Sequence, residues 1–163
     1  MPIPSSASEP DAEALVNALL TASRLLVAVS ARSLAAVEET LTLPQFRMLV
    51  VLGTRGSLSL SQLAGELGVQ PSTAMRMIDR LVAVDMVSRG ASPTDRRTSV
   101  ISLTASGRRT VTETTERRRA EIATIVDAMP AGKRRHLIEA FQAFTEAGRE
   151  PSVTEALPPH VGW

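Results

Sequence analysis

Two consecutive helices joined by a very short turn constrain the fold of this chain more than any other feature. Ser59 and Gln62 have the Ser-x-x-Gln spacing of a capping box, which marks a helix N-terminus. Gly68 can end that helix, because glycine adopts the left-handed conformation without a steric penalty. Pro71 follows almost at once and suits the first turn of a second helix. Residues 59–83 therefore predict a helix, a tight turn and another helix.

The segments around this motif predict a small β-hairpin and several longer helices. Residues 87–89 and 98–104 have strand-like sequences, and the basic loop 90–97 joins them. Apolar residues recur at helical spacing in residues 10–40, in a short stretch after Pro44, in residues 105–128 and in residues 131–148. The predicted fold is therefore mainly α with a small β-hairpin wing.

The first predicted helix is apolar around much of its circumference. Its second half reads LLVAVSARSLAAV. A helix that is apolar on more than one side usually packs between two partners. A second copy of the chain is one candidate for the second partner.

Charge is distributed unevenly along the chain. The formal net charge is +1, but residues 46–135 hold 15 basic side chains against 8 acidic ones. A basic middle segment indicates a surface that faces a polyanion, although a mixed, solvated surface fits the charge equally well. Aromatic residues make up only 2% of the chain. This disfavours single-stranded nucleic acid as a partner, because its readers stack bases on several aromatic side chains.

Several function classes lack their defining residues. The chain contains no cysteine, which excludes disulfides, thiolate metal sites and thiol redox centres. His136 and His160 have no carboxylates that the sequence pairs with them, so we expect no metal and no cofactor. Nucleophile-elbow, dinucleotide and P-loop motifs are missing, so no enzyme is predicted. No uncharged run exceeds ten residues and the N-terminus lacks a signal pattern, so we expect no membrane span and a cytoplasmic location.

The second helix of the motif has one apolar side and one side suited to nucleic acid. At ~100° per residue, the core side holds Ala74, Met77, Ile78, Leu81 and Asp85. The opposite side and its flanks hold Ser72, Thr73, Met75, Arg76, Asp79, Arg80 and Ala83. Short hydroxyls and arginines suit phosphates and base edges in the major groove. We therefore expect double-stranded DNA as the partner, and an ordinary solvated helix face is the alternative.

One stretch of the chain resembles a known family of regulators. Residues 60–107 read LSQLAGELGVQPSTAMRMIDRLVAVDMVSRGASPTDRRTSVISLTASG. They resemble the winged helix-turn-helix core of the MarR (multiple antibiotic resistance regulator) family. The most specific part is the wing signature Asp95-Arg96-Arg97, which is followed by Leu103-Thr104 and Gly107. Its distance along the chain from the segment Met86-Val87-Ser88-Arg89 is also typical of the family. The segment 43–52 matches the family's second helix, and the resemblance covers about residues 10–150.

The resemblance implies a homodimer with interlocking terminal helices. Two winged lobes would straddle a pseudo-palindromic duplex and usually repress transcription. A small aromatic or anionic ligand would relieve repression from an apolar pocket where the first, second and fifth helices meet. The chain would then divide into a flexible lead-in (1–9), a dimerisation helix (10–42), a winged DNA-binding lobe (43–104), C-terminal dimerisation helices (105–150) and a Pro-rich tail (151–163).

The resemblance also assigns roles to residues of the wing. Arg97 would enter the minor groove, and Asp95 would orient it through a charge-assisted fork. Arg96 would contact a phosphate or the lobe. The alternatives are a surface arginine for Arg97 and a simple turn residue for Asp95.

In the recognition helix, the resemblance makes Arg76 the principal base contact. Ser72 and Thr73 would bind backbone or bases near the helix N-terminus, where amide groups attract phosphate, and Arg80 flanks the same side.

Three positions depart from the family pattern. Gln70 replaces a better N-cap and is a candidate base reader, and Met75 replaces a small polar residue and suits a thymine methyl group. Asp85 occupies a turn position that often holds glycine.

A second function remains open. A winged-helix dimer with weak or no DNA binding could act through protein partners instead. Gln70, Met75 and the modest net charge are the features that fit this alternative.

Overall fold

The computed structural model describes residues 9–150 and confirms a mainly helical fold with a two-stranded antiparallel sheet. The elements are α1 (Glu9–Ala35), α2 (Leu43–Arg55), α3 (Leu60–Leu67), α4 (Pro71–Ala83), β1 (Val87–Ala91), β2 (Ser99–Leu103), α5 (Ala105–Asp127) and α6 (Ala131–Ala147). The predicted tail (151–163) and all but Glu9 of the predicted lead-in (1–9) lie outside the described residues.

Local capping bonds explain where the central helices begin. At the start of α3, the backbone N–H of Gln62 donates to the Ser59 hydroxyl at 3.2 Å, and the Ser59 N–H donates to the Gln62 side chain at 3.0 Å. Gly68 ends the helix with a φ of 64°. Both features were predicted. A second capping box, formed by Thr42 and Gln45 at the start of α2, was not.

The core of the lobe lies between α2, α3, α4 and the sheet. Its fully buried side chains come from all three helices and are Met48, Leu49, Leu63, Ala74, Ile78 and Leu81. The sheet contributes Val87 and Ile101, which are 2% and 4% exposed. Ile101 also exchanges backbone hydrogen bonds of 3.1 and 2.7 Å with Leu58, just before α3. This bridge fixes the base of the hairpin to the helix-turn-helix.

A tight junction connects the sheet to α5. The Thr104 hydroxyl accepts a hydrogen bond from the Gly107 N–H at 3.0 Å and caps the helix. A Cβ atom at Gly107 would lie 2.1 Å from the Met86 carbonyl oxygen, so only glycine fits there. The expectation that Asp85 lies on the core side of the preceding helix was wrong, whereas its placement at a turn position that often holds glycine is confirmed. The helix ends at Ala83, and Asp85 is an exposed turn residue with a φ of 58°.

The first helix is shorter than predicted. It ends at Ala35 instead of near residue 40, and a turn follows it. The Glu38 carboxylate closes this turn by accepting a hydrogen bond from the Thr40 hydroxyl at 2.8 Å. Leu41, which follows, is buried and leads the chain into α2.

The terminal helices leave much apolar surface uncovered. Val29 and Leu34 of α1 are buried, but α6 has no buried residue. The side chains left 36–60% exposed are Leu15, Val16, Leu20, Leu25, Val27, Leu137, Ile138 and Phe144.

By length and composition alone, α1 could also cross a membrane. Its segment Asp11–Ala35 reaches a mean hydropathy of 1.7 in its most apolar window, of which 6% is buried. The prediction that no segment is long and apolar enough was therefore wrong for this helix. That prediction considered only runs without a charged residue, and Arg24 and Arg32 divide this helix into shorter uncharged runs. A helix that packs between two subunits passes the same test.

Candidate nucleic-acid interface

Helix α4 has a buried side and an exposed side, as its sequence predicted. Ala74, Ile78 and Leu81 hold it against the core with no exposed surface. The opposite side is open to solvent and carries Ser72, Met75, Arg76, Asp79 and Arg80. Thr73 is half-buried. The helix therefore presents hydroxyl, thioether and guanidinium groups together on one surface.

Gln70 occupies the N-cap of α4 without capping it. Its side chain makes no capping hydrogen bond and is exposed. Pro71 has no backbone N–H, and the Thr73 and Ala74 N–H groups donate to the Gln70 carbonyl oxygen at 2.9 and 3.1 Å. Within residues 9–150, the Ser72 N–H is therefore the amide of this first turn that remains available to an external acceptor. Because it is exposed and forms no cap, the side-chain amide of Gln70 is also available to a partner.

The wing tip is organised by Asp95. One carboxylate oxygen accepts a hydrogen bond from the Arg97 N–H at 3.0 Å, and the other accepts from the Thr98 hydroxyl at 3.1 Å. The predicted fork between Asp95 and the Arg97 guanidinium is not what the structure shows. A short acidic side chain in a turn bonds the backbone two residues further on, which is the geometry of an Asx turn. Asp95 therefore orders the backbone that carries Arg96 and Arg97, both exposed.

Four arginines of this surface have no acidic partner among the residues that the structure describes. Within residues 9–150, the ion pairs are those of Arg32 with Glu121, Arg55 with Glu66 and Arg89 with Asp79. The guanidinium groups outside these pairs include those of Arg76, Arg80, Arg96 and Arg97. Because Asp79 is paired and Asp95 is bonded within its turn, the exposed side of α4 and the wing tip present mainly positive charge.

The contact between Arg89 and α4 was missed from the sequence. Arg89, in β1, pairs with Asp79 and donates a hydrogen bond to the Met75 sulfur at 3.3 Å. An exposed acidic residue on α4 and an arginine just beyond it were visible in the sequence. Only the position of the hairpin against the helix shows that they meet.

A groove of about 810 Å³ lies where the resemblance implied an apolar pocket. Helices α1, α2, α5 and α6 contribute to its lining, which includes Leu19, Leu26, Phe46, Val50, Arg118 and Phe141. Arg118 is half-buried, and its Nε atom is buried without a hydrogen-bond partner. The groove is therefore mainly apolar, and its charged lining residues are Arg47, Arg118 and Glu150.

Metal ligation finds no support in the described part of the chain. Residues 9–150 contain no group of three or more His, Asp or Glu side chains placed to hold an ion. His136 is exposed on α6, with its Nδ1 atom 3.1 Å from the Gly132 carbonyl oxygen. His160 lies outside the described residues.

A helix-turn-helix with an exposed second helix, followed by a hairpin with a basic tip, defines the winged helix-turn-helix class of transcriptional regulators. The model of the MarR family matches residues 41–99. Rv1404 from Mycobacterium tuberculosis, a solved structure, is 51% identical to this chain with a TM-score of 0.81, over 87% of this chain and 97% of its own. The chain belongs to the MarR family, whose members are transcriptional regulators and not enzymes.

Two further relatives are more distant. The HTH-type transcriptional regulator YfiV of Bacillus subtilis is 32% identical over 69 residues, which span 42% of this chain and 43% of that protein. The structure of Streptococcus pneumoniae FabT in complex with DNA is 19% identical with a TM-score of 0.71 and covers 85% of this chain and 98% of its own. At this identity the second similarity concerns the fold alone.

Proposed function

We propose that this regulator binds double-stranded DNA sequence-specifically as a homodimer, represses transcription, and releases DNA when a small aromatic or anionic ligand binds. The observation that carries the DNA-binding role is the cluster of unpaired arginines on α4 and the wing tip. FabT, which has this fold, has been solved with DNA bound. DNA as the partner also implies a cytoplasmic location.

Each candidate DNA contact has a role that fits its place on this surface. Arg76 is proposed to contact a base edge, with Arg80 at a phosphate and Met75 against a thymine methyl group. Ser72, Thr73 and Gln70 lie at the N-terminus of α4, where the helix dipole and the Ser72 N–H favour a phosphate or a base acceptor. Arg97 is proposed to enter the minor groove and Arg96 to contact a phosphate, while Asp95 orders the tip without touching DNA.

The homodimer is supported by the apolar surface of the terminal helices. Isolated exposed apolar residues are common on protein surfaces, but a helix with no buried residue and several large exposed ones needs a partner. We propose that α1, α5 and α6 interlock with the same helices of a second copy, so that residues 10–42 and 105–150 dimerise while 43–104 bind DNA. Two lobes related by a twofold axis would read a pseudo-palindromic site.

The proposed effector site is the groove between α1, α2, α5 and α6. Its volume lies within the range of roughly 300–1,000 Å³ found for small-molecule sites. The buried Arg118 Nε is an unsatisfied donor, and a ligand oxygen would satisfy it. Because α1 belongs to the dimer region and α2 to the lobe, a ligand between them could change the spacing of the two lobes. An aromatic carboxylate matches the apolar walls and the two arginines, Arg47 and Arg118, which outnumber the one acidic lining residue, Glu150.

Selection from a random pool of duplex DNA tests the DNA-binding role. We expect the enrichment of one motif, and Arg76→Ala and Arg97→Ala should each weaken its binding by about 10- to 100-fold. Arg55→Ala, at an exposed arginine of the same lobe that pairs with Glu66, is the matched control and should bind normally. A motif that is bound equally well by both variants would refute the assigned contacts. If no duplex is enriched at low salt, the alternative of a dimer that acts through protein partners gains support.

A panel of aromatic carboxylates tests the effector role on the selected duplex. At least one should release the wild-type protein from DNA, and Arg118→Met should abolish that release while it retains DNA binding. Release that is unchanged by Arg118→Met would place the ligand elsewhere.

A further inference from the structure

Arg89 connects the wing to the exposed side of the recognition helix. It lies in β1 opposite Ile101, and its Nη2 atom contacts two side chains of α4. It forms an ion pair with Asp79 and donates a hydrogen bond to the Met75 sulfur at 3.3 Å. Both contacts lie on the side of α4 that carries Arg76. Arg89 therefore acts on the proposed DNA-reading surface from a different element.

We propose that Arg89 is a positioning residue for DNA reading, which keeps Asp79 away from Arg76 and holds the Met75 side chain in place. This inference rests on the proposed DNA-binding function and adds a determinant of its specificity. Arg89 itself need not touch a base or a phosphate.

The position of Asp79 on α4 shows why such a partner is needed. Residues three apart on a helix are neighbours, so Asp79 lies within reach of Arg76 one turn earlier. Without Arg89, the Asp79 carboxylate would pair with the Arg76 guanidinium and compete with the DNA for it. It would also add an unpaired negative charge to a surface that must approach phosphates. Arg89 removes both effects because it pairs with the Asp79 carboxylate from the hairpin.

The contact with Met75 extends the argument to base preference. A methionine side chain has several rotatable bonds and fills irregular spaces, so by itself it discriminates poorly between neighbouring groups. The hydrogen bond from Arg89 restricts where the Met75 sulfur lies. A Met75 side chain held in one place can distinguish a thymine methyl group from the other groups of the major groove.

The stability of the lobe should depend little on this contact. The side chains of Arg89 and Asp79 are 43% and 55% exposed, and exposed ion pairs contribute little to folding. The ion pair of Arg55 with Glu66 has a similar exposure, 52% and 39%, and joins α2 to α3. Arg55→Ala is therefore the matched control for the loss of an exposed ion pair in the same lobe.

A double-mutant cycle on the selected duplex tests the proposal. Arg89→Ala should weaken binding about tenfold, whereas Asp79→Ala should bind nearly as well as wild type. The double variant should recover most of the loss, because no carboxylate is left to compete for Arg76. Met75→Ala should lose the preference for one base pair of the motif. The sequences selected by Arg89→Ala should be less uniform at that same base pair. Arg55→Ala should change neither affinity nor sequence preference.

Three outcomes would overturn the proposal. An equal loss from Arg89→Ala with and without Asp79 would make Arg89 a direct DNA contact. An Arg89→Ala variant that binds and selects like wild type would leave it no role. If the wild-type protein enriches no duplex, the proposed function fails first, and the role of Arg89 fails with it.

Discussion

In the winged lobe, α2, α3 and α4 bury Met48, Leu63 and Ile78 completely, whereas α6 buries none of its residues. In the lobe, α2 and α3 begin with capping boxes, the core is closed, and the hairpin is bonded to the segment before α3, all from one chain. The terminal helices also have apolar faces, and nothing else within residues 9–150 covers their exposed side chains. The lobe therefore has a closed core within one chain, and the uncovered helical surface is what the proposed dimer would bury.

The largest expected effect comes from placing a charge in the uncovered helical surface. Phe144 is 53% exposed in α6, and Phe144→Glu should convert a dimer into a monomer because an unpaired carboxylate resists burial. DNA affinity should then fall by about 100-fold or more, since two linked lobes bind far better than one. Light scattering and duplex titration measure the two effects. Val84→Glu, at a position 45% exposed in the lobe, is the control and should leave the mass unchanged.

A smaller effect is expected at the junction between the lobe and α5. Gly107→Ala should lower the free energy of unfolding by about 2–3 kcal/mol, because the new Cβ would press on the Met86 carbonyl. Gly132, in α6, has no atom near the position of a Cβ, so Gly132→Ala is the control and should cost nothing. Urea titration compares the two variants. Equal stability for both would show that the junction is looser than the structure indicates.

The capping box of α3 tests whether the lobe is independent of the terminal helices. Ser59→Ala should cost about 1 kcal/mol through the loss of the N-cap bond. The neighbouring Ser61 is exposed, and Ser61→Ala should have little effect. In a protein that also carries Phe144→Glu, Ser59→Ala should lower the free energy of unfolding by the same amount to within about 0.5 kcal/mol. A cost that disappears there would mean that the lobe needs the dimer in order to fold.

The smallest expected effect is a gain in stability. Asp85 holds a φ of 58°, where a non-glycine residue is strained, so Asp85→Gly should stabilise the lobe by about 0.5–1 kcal/mol. Asp85→Asn should stay close to wild type, because asparagine tolerates this conformation. Thermal unfolding of the three proteins would decide the order, and a less stable glycine variant would contradict it.

The parts of the structure that the sequence predicted are the local ones. The Ser59 capping box and the turn at Gly68 depend on neighbours within a few residues. The hairpin is also close in sequence, because its outermost pair joins Val87 to Leu103. The end of α1 was misplaced because apolar spacing continues past Ala35, while the turn depends on Glu38 and Thr40.

The interface was less predictable, because its members come from separate elements. The exposed side of α4 followed from helical periodicity. The bond of Arg89 to Asp79 and Met75 depends on where the hairpin lies, and no local pattern encodes that. The role of Asp95 was left open between a fork and a turn. The bonds to the Arg97 N–H and the Thr98 hydroxyl show the turn.

The mass of the protein bound to its selected duplex tests the central claim most directly. Light scattering of the complex should give two copies of the 17.4 kDa chain on one duplex that contains an inverted repeat. A single chain on each duplex, with a motif that has no internal symmetry, would contradict the account. It would show that the apolar faces of α1 and α6 serve something other than a dimer that reads DNA.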